Sequence, residues 1–476
     1  MKGTKKQWIT VVLISSSLFI HAQTQIGSDI DGLGQGDHFG HSISISSDGN
    51  IVAASGFGGT SEDGRLRVFK NIDGVWTLYG TDINGNNFGG MGSYSISLSA
   101  DGNTLAAGRW EGVVKVFSYD STTNFWTQKG VNITNNTEIS AFGNSIDLSS
   151  DGNTVVIGIS GLELPFLPVE GITQIFHYEA GVWNQVGNDI NGLVFPENSG
   201  LSVSISSDGN TIAVSNRNSV RIYQNLSGTW TIMGDEILAT GNSSGKSEIN
   251  LSSNGETLVI GEPDFTDSFI QRGRVRVFNY ESGTWNQVGS NILGEVAHYR
   301  TGRSVSLSSD GQVLAIGETG STSGSTDTGR TRIFENQDGT WTQIGNGIFG
   351  EASEDYSGRS VCLSSDAGVV AIGAPLNNGN GVDSGHLRVY DLGSLLSIND
   401  FVQPKIILYP NPAREQFTIK LQDGMKLEKT YIYNSLGELI TSTIDSKIST
   451  SKLSTGIYYV EINTNKGKAT KKIVIL

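Results

Sequence analysis

A short turn, Ser-x-Asp-Gly, returns along most of the chain, and its period limits what the sequence can fold into. The turn is centred on Asp48, Asp101, Asp151, Asp208, Asn254, Asp310 and Asp366, at spacings of 53, 50, 57, 46, 56 and 56 residues. Trp76, Trp126, Trp183, Trp230, Trp285 and Trp341 recur in phase with it. Two marks in step define a repeating structural unit, stacked or ringed with its neighbours, in place of one ordinary core.

Residues 304–348 show the unit most clearly. SVSLS alternates small polar and apolar residues, a Ser-Asp-Gly turn follows, and VLAIGE is a continuous apolar strand. After a variable loop, GRTRIFE, a Gln-Asp-Gly hairpin turn and TWTQIGNGI supply a third and a fourth strand. Four antiparallel strands in about 50 residues make one propeller blade, so the reading is all-β, a seven-bladed β-propeller over residues 23–396. The 62 glycines against 8 prolines fit many short strands punctuated by turns. The seventh repeat lacks its Trp strand, but QTQIGSDIDG at 23–32 matches WTQIGNGIFG at 341–350. Residues 23–32 are therefore expected to pair beside 386–391, completing the last blade and removing an open strand edge.

Both ends differ from the repeats. Lys2, Lys5 and Lys6 precede an apolar run from Trp8 to Ile20 and then His21-Ala22, the order of a secretory signal, with cleavage expected after Ala22. That run is shorter than the roughly 20 residues a spanning helix needs, and no later segment suits one. Residues 23–403 carry 18 basic against 41 acidic side chains, whereas 404–476 carry 11 against 6. The step marks a boundary, with 397–403 as linker and 404–476 as a C-terminal domain. So acidic a body repels phosphates and excludes nucleic acid as a partner. The single cysteine, Cys362, excludes an intrachain disulfide and stands where other repeats have Ser44, Ser97, Ser204 and Ser306, the place of a tolerated small residue.

Candidate chemistry is sparse. The Asp of each turn reads as an acceptor for backbone N–H groups. A cation recurs in the third strand at Arg67, Lys115, Arg221, Arg276, Arg332 and Arg388, and reads as a bond between blades. The loops after the second strand vary in length and gather Glu62, Asp63, Glu262, Asp264, Asp267, Glu318, Asp327, Glu351, Glu354, Asp355 and Asp383 on one face, an expected ligand-binding surface. The chain has no HExxH or phosphate-loop motif, so no catalytic residue, metal or cofactor is assigned. A secreted glycan-active enzyme and a purely structural envelope protein are the alternatives to a binding module.

Two resemblances add to this reading. Phe39-Gly40-His41-Ser42, Phe142-Gly143-Asn144-Ser145 and Ala371-Ile372-Gly373-Ala374-Pro375 resemble FG-GAP repeats, known from integrin α-chains. Those repeats often bind calcium through several closely spaced carboxylates in the first hairpin. Here the hairpin offers a single Asp, too few oxygens for Ca²⁺. Tyr409-Pro410-Asn411-Pro412, the segment around Gly437, Leu453-Ser454-Thr455-Gly456-Ile457-Tyr458 and the closing Lys471-Lys472-Ile473-Val474-Ile475-Leu476 resemble the type A C-terminal sorting domain of the type IX secretion system of Bacteroidota. The resemblance implies a small β-sandwich, the secretion machinery as partner, and delivery of a monomeric cargo to the outer-membrane surface or the medium, there to bind a glycan or protein in adhesion. Removal of residues 404–476 is expected to leave the protein in the periplasm, and cell fractionation showing normal surface display would refute it.

Overall fold

The second strand of every repeat is apolar on both faces and can only be buried between neighbours, which makes each repeat one layer of a larger assembly. A computed structural model describes residues 23–57, 64–84, 95–109, 112–134, 142–160, 170–193, 198–239, 247–320, 328–396, 407–421, 426–434, 439–451, 453–464 and 467–476. The chain divides into two units, Met1–Leu395 and Leu396–Leu476. Residues 1–22, read above as a signal, residues 397–403, read as a linker, and Glu62, Asp63, Asp327 and Gly437 lie outside the described residues.

In the first unit each repeat forms its own antiparallel sheet. The first sheet runs Ser42–Ile45, Ile51–Gly56, Arg65–Ile72 and Val75–Leu78 in order, with the short Ile83–Asn84 returning to pair with Arg65–Ile72. The expected long fourth strand is thus split in this sheet, because Gly80 takes φ +87° and turns the chain between its halves. Six further sheets start at Ser95–Leu98, Phe142–Leu148, Val203–Ile205, Glu248–Leu251, Ser304–Leu307 and Ser360–Leu363. Among the described residues the one helix is the single turn Gly393–Leu396.

The inner strands lie side by side in sequence order, and the seventh meets the first. The residue after the Ser of each turn joins them. Ser47 N–H donates to Ala100, Ala100 to Ser150, Ser150 to Ser207, Ser207 to Ser253, Ser253 to Ser309, Ser309 to Ser365, and Ser365 back to Ser47, all at 2.8–3.0 Å. A second circle runs through side chains. Ser44 accepts the Leu98 N–H, Ser97 that of Leu148, Asp147 that of Ile205, Ser204 that of Leu251, Asn250 that of Leu307 and Ser306 that of Leu363. Cys362 completes it by taking the Ile45 N–H. The alternation of the inner strand follows: polar positions satisfy the neighbouring strand, while Ile43 and Ile45 enter the core.

Farther out, each sheet grips its predecessor. The indole N–H groups of Trp76, Trp126, Trp183, Trp230 and Trp285 donate to the carbonyls of Ile26, Tyr79, Lys129, Val186 and Met233 at 2.8–2.9 Å. Trp341 packs beside Gly289, but its N–H has no such acceptor. Arg67, Arg276, Arg332 and Arg388 donate to Asp31, Leu238, Leu293 and Phe349 carbonyls of the preceding sheet at 2.6–3.2 Å, so at these four positions the recurring cation is a link between sheets.

The seventh sheet takes its outer strand from the start of the chain. Thr24 and Gln25 pair with Asp391 and Tyr390, and Ile30 and Asp31 with Leu387 and His386. Gln23 stands where the other repeats have Trp, and its amide N–H donates to the Asn346 carbonyl at 2.7 Å. A polar donor thus survives the loss of the indole.

The second unit has a three-stranded sheet (Ile407–Tyr409, Gln416–Lys420, Lys447–Ser449) and a four-stranded sheet (Leu427–Asn434, Leu439–Thr443, Gly456–Thr464, Gly467–Ile475). Phe417 and Ile419 of one share a core with Ile432, Tyr458, Val460 and Ile473 of the other. Asn411 ties the Tyr409–Pro412 motif to the last strand: its Nδ2 donates to Lys472 O at 2.9 Å and its Oδ1 accepts Val474 N–H at 3.0 Å. Tyr409 is exposed, and so is Lys472, while Lys471 is half-buried.

Deleting residues 23–32 exposes the core around Ile30 and removes the outer strand of the closing sheet. The loss of Ile26 and Ile30 alone costs about 3–6 kcal/mol, a fall of roughly 10 °C in melting temperature by circular dichroism, and an unchanged melting temperature would falsify the pairing.

Candidate functional site

The residue just before the inner strand occupies one register position in every repeat: His41, Tyr94, Asn144, Leu201, Ser247, Arg303 and Arg359. These positions ring the axis on the face opposite the Asp-Gly hairpins; Tyr94 lies outside the described residues. A cavity of about 320 Å³ opens there, lined by His41, Asn144, Glu248, Arg303 and Arg359 together with the strand-leading Ser42, Ser95, Ser145, Ser304 and Ser360. Six of the seven sheets contribute to it.

Its cations are consecutive around the ring. Arg359 Nη2 contacts His41 Nε2 at 3.0 Å, and Arg303 Nη1 donates to Glu248 Oε1 at 3.2 Å. The His41 ring packs on Phe57 at 4.4 Å between centroids. Burial, and then the positive charge of Arg303, bring the Arg359 guanidinium down to about 10 against the opposing pull of Glu248. Arg359 stays charged at neutral pH, beside a second guanidinium and a single carboxylate. Such a mouth attracts an anion.

The acidic loops are arranged otherwise than the sequence suggests. Glu262, 1 % exposed, receives Arg274 Nε at 2.7 Å and Arg276 Nε at 2.9 Å. Glu318, fully buried, receives Thr301 Oγ1 at 2.6 Å and the guanidiniums of Arg330 and Arg332. Asp355, also fully buried, accepts the Glu351 and Ala352 N–H groups and Asn377 Nδ2. These three carboxylates are structural acceptors and present nothing to a ligand; two of them neutralise buried arginines, Glu318 together with the more exposed Glu295. Asp264 pairs with Arg300 at 2.9 Å on the flank of the mouth. Of this set, Glu351, near Arg388 and His386, and Glu354 stay open to solvent, while Asp383 and Asp267 are half-buried.

The turn aspartates are internal acceptors as well. Asp48 takes Ser46 Oγ at 2.6 Å and Asn50 N and Nδ2 at 3.0 Å, and Asp101, Asp151 and Asp208 repeat the pattern. Partial burial raises these carboxyls, yet the bonds from the Ser and Asn outweigh it and hold them below the usual range. Burial pushes the Cys362 thiol up to about 11, which leaves it un-ionised and poorly nucleophilic. One group has metal-ligand character among the described residues: Asp29, Asp31 and His386, where the ring closes.

Sequence reasoning missed Arg303 and Arg359. The signal was present, since TGRS at 301–304 and SGRS at 357–360 put an arginine in the register position of His41. What the spacing did not reveal is that this register position lines the axial mouth, where Arg303 meets Glu248 and Arg359 meets His41.

Residues 407–476 match the family of secretion system C-terminal sorting domains. The chain therefore carries a type IX sorting tail, which marks it for export to the cell surface or beyond. No curated protein matches it in sequence. Among solved structures, the β-propeller domain of Myceliophteria thermophila Cps50 (Swd1) superposes with a TM-score of 0.52 at 11 % identity, covering 76 % of this chain and 99 % of that one, and shows the first unit to have a β-propeller fold. Hydrazine synthase of Kuenenia stuttgartiensis aligns at a TM-score of 0.49 and 14 % identity over 72 % of this chain and 94 % of that one. No helix among the described residues is long and apolar enough to cross a membrane.

Glu262→Gln removes the buried carboxylate that Arg274 and Arg276 share. Loss of one partner from a buried ion network costs about 3–5 kcal/mol in denaturant unfolding, whereas Asp383→Asn, in a half-buried turn, costs about 1 kcal/mol or less. Equal effects would show that Glu262 is not a structural charge.

Proposed function

We propose that this is an exported adhesion module: a seven-bladed, FG-GAP-like propeller that binds the anionic group of an extracellular glycan or protein in its axial mouth. On this reading residues 1–22 direct passage of the inner membrane, with cleavage near Ala22, and the C-terminal β-sandwich directs type IX delivery to the surface of a member of the Bacteroidota. The mature protein acts as a monomer, by binding and without turnover.

The observation that carries the reading is the pairing of Arg303 and Arg359 around one carboxylate, Glu248, in a cavity to which six sheets contribute. The protein as a whole carries a net charge of −15, which repels an acidic ligand from most of its surface and leaves the mouth as the favoured point of approach. A site on a rigid ring loses little order on binding, and a lone carboxylate group on a sugar or side chain matches the planar fork of a guanidinium.

An array of uronic-acid and sialylated glycans, their neutral counterparts and matrix proteins, probed with the whole protein, tests this. Binding is expected for acidic ligands, to weaken with salt, and to fall about tenfold or more in Arg303→Gln/Arg359→Gln at unchanged melting temperature. Equal capture of neutral ligands, or release of a cleaved product, would overturn it.

A further inference from the structure

The repeats supply their own controls for the seam where the chain's start meets the seventh sheet. Asp29 holds the register position of Asp82, Asp189 and Glu236. In those sheets the acid is met by the third strand, through Arg67 at 3.3 Å, Gln174 at 2.8 Å and Arg221 at 2.8 Å. At the seam the equivalent Arg388 donates to the Phe349 carbonyl at 2.6 Å, as Arg67 does to that of Asp31, but the acid it meets is Glu351, at 3.7 Å, in place of Asp29. Asp29 faces the His386 ring, with Nδ1 3.6 Å from Oδ2, while its Oδ1 is held by Gln25 Nε2 at 2.6 Å.

A second acid is added there. Asp31 stands where other repeats have Asn84, Thr134, Asn191, Leu238, Leu293 and Phe349, none of them charged. Burial and the adjacent charge of Asp29 both raise its carboxyl. His386 in turn holds the place of Arg274 and Arg330, and Ala374 the place of the Glu262 and Glu318 that those arginines bind. The seam has thus exchanged an arginine–glutamate pair for an imidazole with two aspartates. That imidazole is 1 % exposed, and neither ring nitrogen has a hydrogen-bond partner, an arrangement that costs about 1–3 kcal/mol per unmet group unless something is bound.

One donor atom from each of Asp29, Asp31 and His386 lies within 4.8 Å of the others. Donors on one cation at about 2.1 Å stand roughly 3–4 Å apart, so a small contraction brings the three onto a common ion. Glu351, its Oε2 3.9 Å from the ring, is placed to join as a fourth. Asp29 and Asp31 also line a cavity of about 290 Å³, which gives an entry path. Imidazole with carboxylates suits Zn²⁺, Mn²⁺ or Fe²⁺, while Ca²⁺ wants an all-oxygen shell.

We propose that Asp29, Asp31 and His386 bind a divalent transition-metal cation that clamps the 23–31 segment to the His386–Asp391 strand and locks the ring shut. The site is separate from the axial mouth and does not depend on its ligand.

Calorimetric titration and thermal unfolding of the untagged whole protein, stripped with EDTA and given Zn²⁺, Mn²⁺ or Ca²⁺, test the proposal. Zn²⁺ or Mn²⁺ is expected to bind one per chain and to raise the melting temperature by several degrees, with affinity falling about tenfold or more in Asp31→Asn and His386→Gln. Asp31→Asn leaves the buried ring in place and decides the matter should the His386 variant fail to fold. No binding of Zn²⁺ or Mn²⁺, a response to Ca²⁺ alone, or affinity unchanged in Asp31→Asn would overturn it.

Discussion

The circle of amide-to-carbonyl bonds through Ser47, Ala100, Ser150, Ser207, Ser253, Ser309 and Ser365 is the constraint around which the first unit is organised. Neighbouring inner strands share no full ladder, so their remaining N–H groups need acceptors from side chains. Each such bond is worth only about 0.5–1.5 kcal/mol net, but a buried N–H left unmet costs about 1–3 kcal/mol, and this asymmetry selects the side chains. Ser, Asp147, Asn250 and Cys362 differ in size and charge, yet each offers an acceptor at the same height. The circle also makes the repeats interdependent, since its last bond, Ser365 to Ser47, joins residues far apart in the chain.

From this inner circle the structure is built outward in layers that reuse one device, a donor reaching back to a carbonyl of the preceding sheet. Arginine does this at mid-radius and tryptophan at the rim. Departures from the pattern are informative because the pattern is otherwise so regular. Glu262 and Glu318 appear where a second arginine has been added and must be neutralised. Arg303 and Arg359 appear at the register position where described sheets carry His41, Asn144, Leu201 and Ser247.

The charge of the protein is thereby sorted in space. Turn aspartates are consumed by their own Ser and Asn neighbours, and the loop carboxylates Glu262 and Glu318 by buried arginines. A net charge of −15 consequently coexists with a basic axial mouth. Composition describes the far field, and the mouth is decided by which few groups end up close together in one cavity.

By itself the sequence determined the period, the strands within each unit, the apolar second strand, the turn chemistry and the match of residues 23–32 to the missing strand, because all of these are local patterns repeated in register. It also determined the sorting tail, whose motifs are contiguous. Only the tertiary structure decided that Glu262, Glu318 and Asp355 point inward, since loop position does not say which face a carboxylate takes. It alone set Arg359 against His41 and His386 against Asp29, pairs drawn from opposite ends of the first unit. Electrostatic and coordination chemistry depend on distance through space, and ring closure is what turns the longest separations along this chain into the shortest.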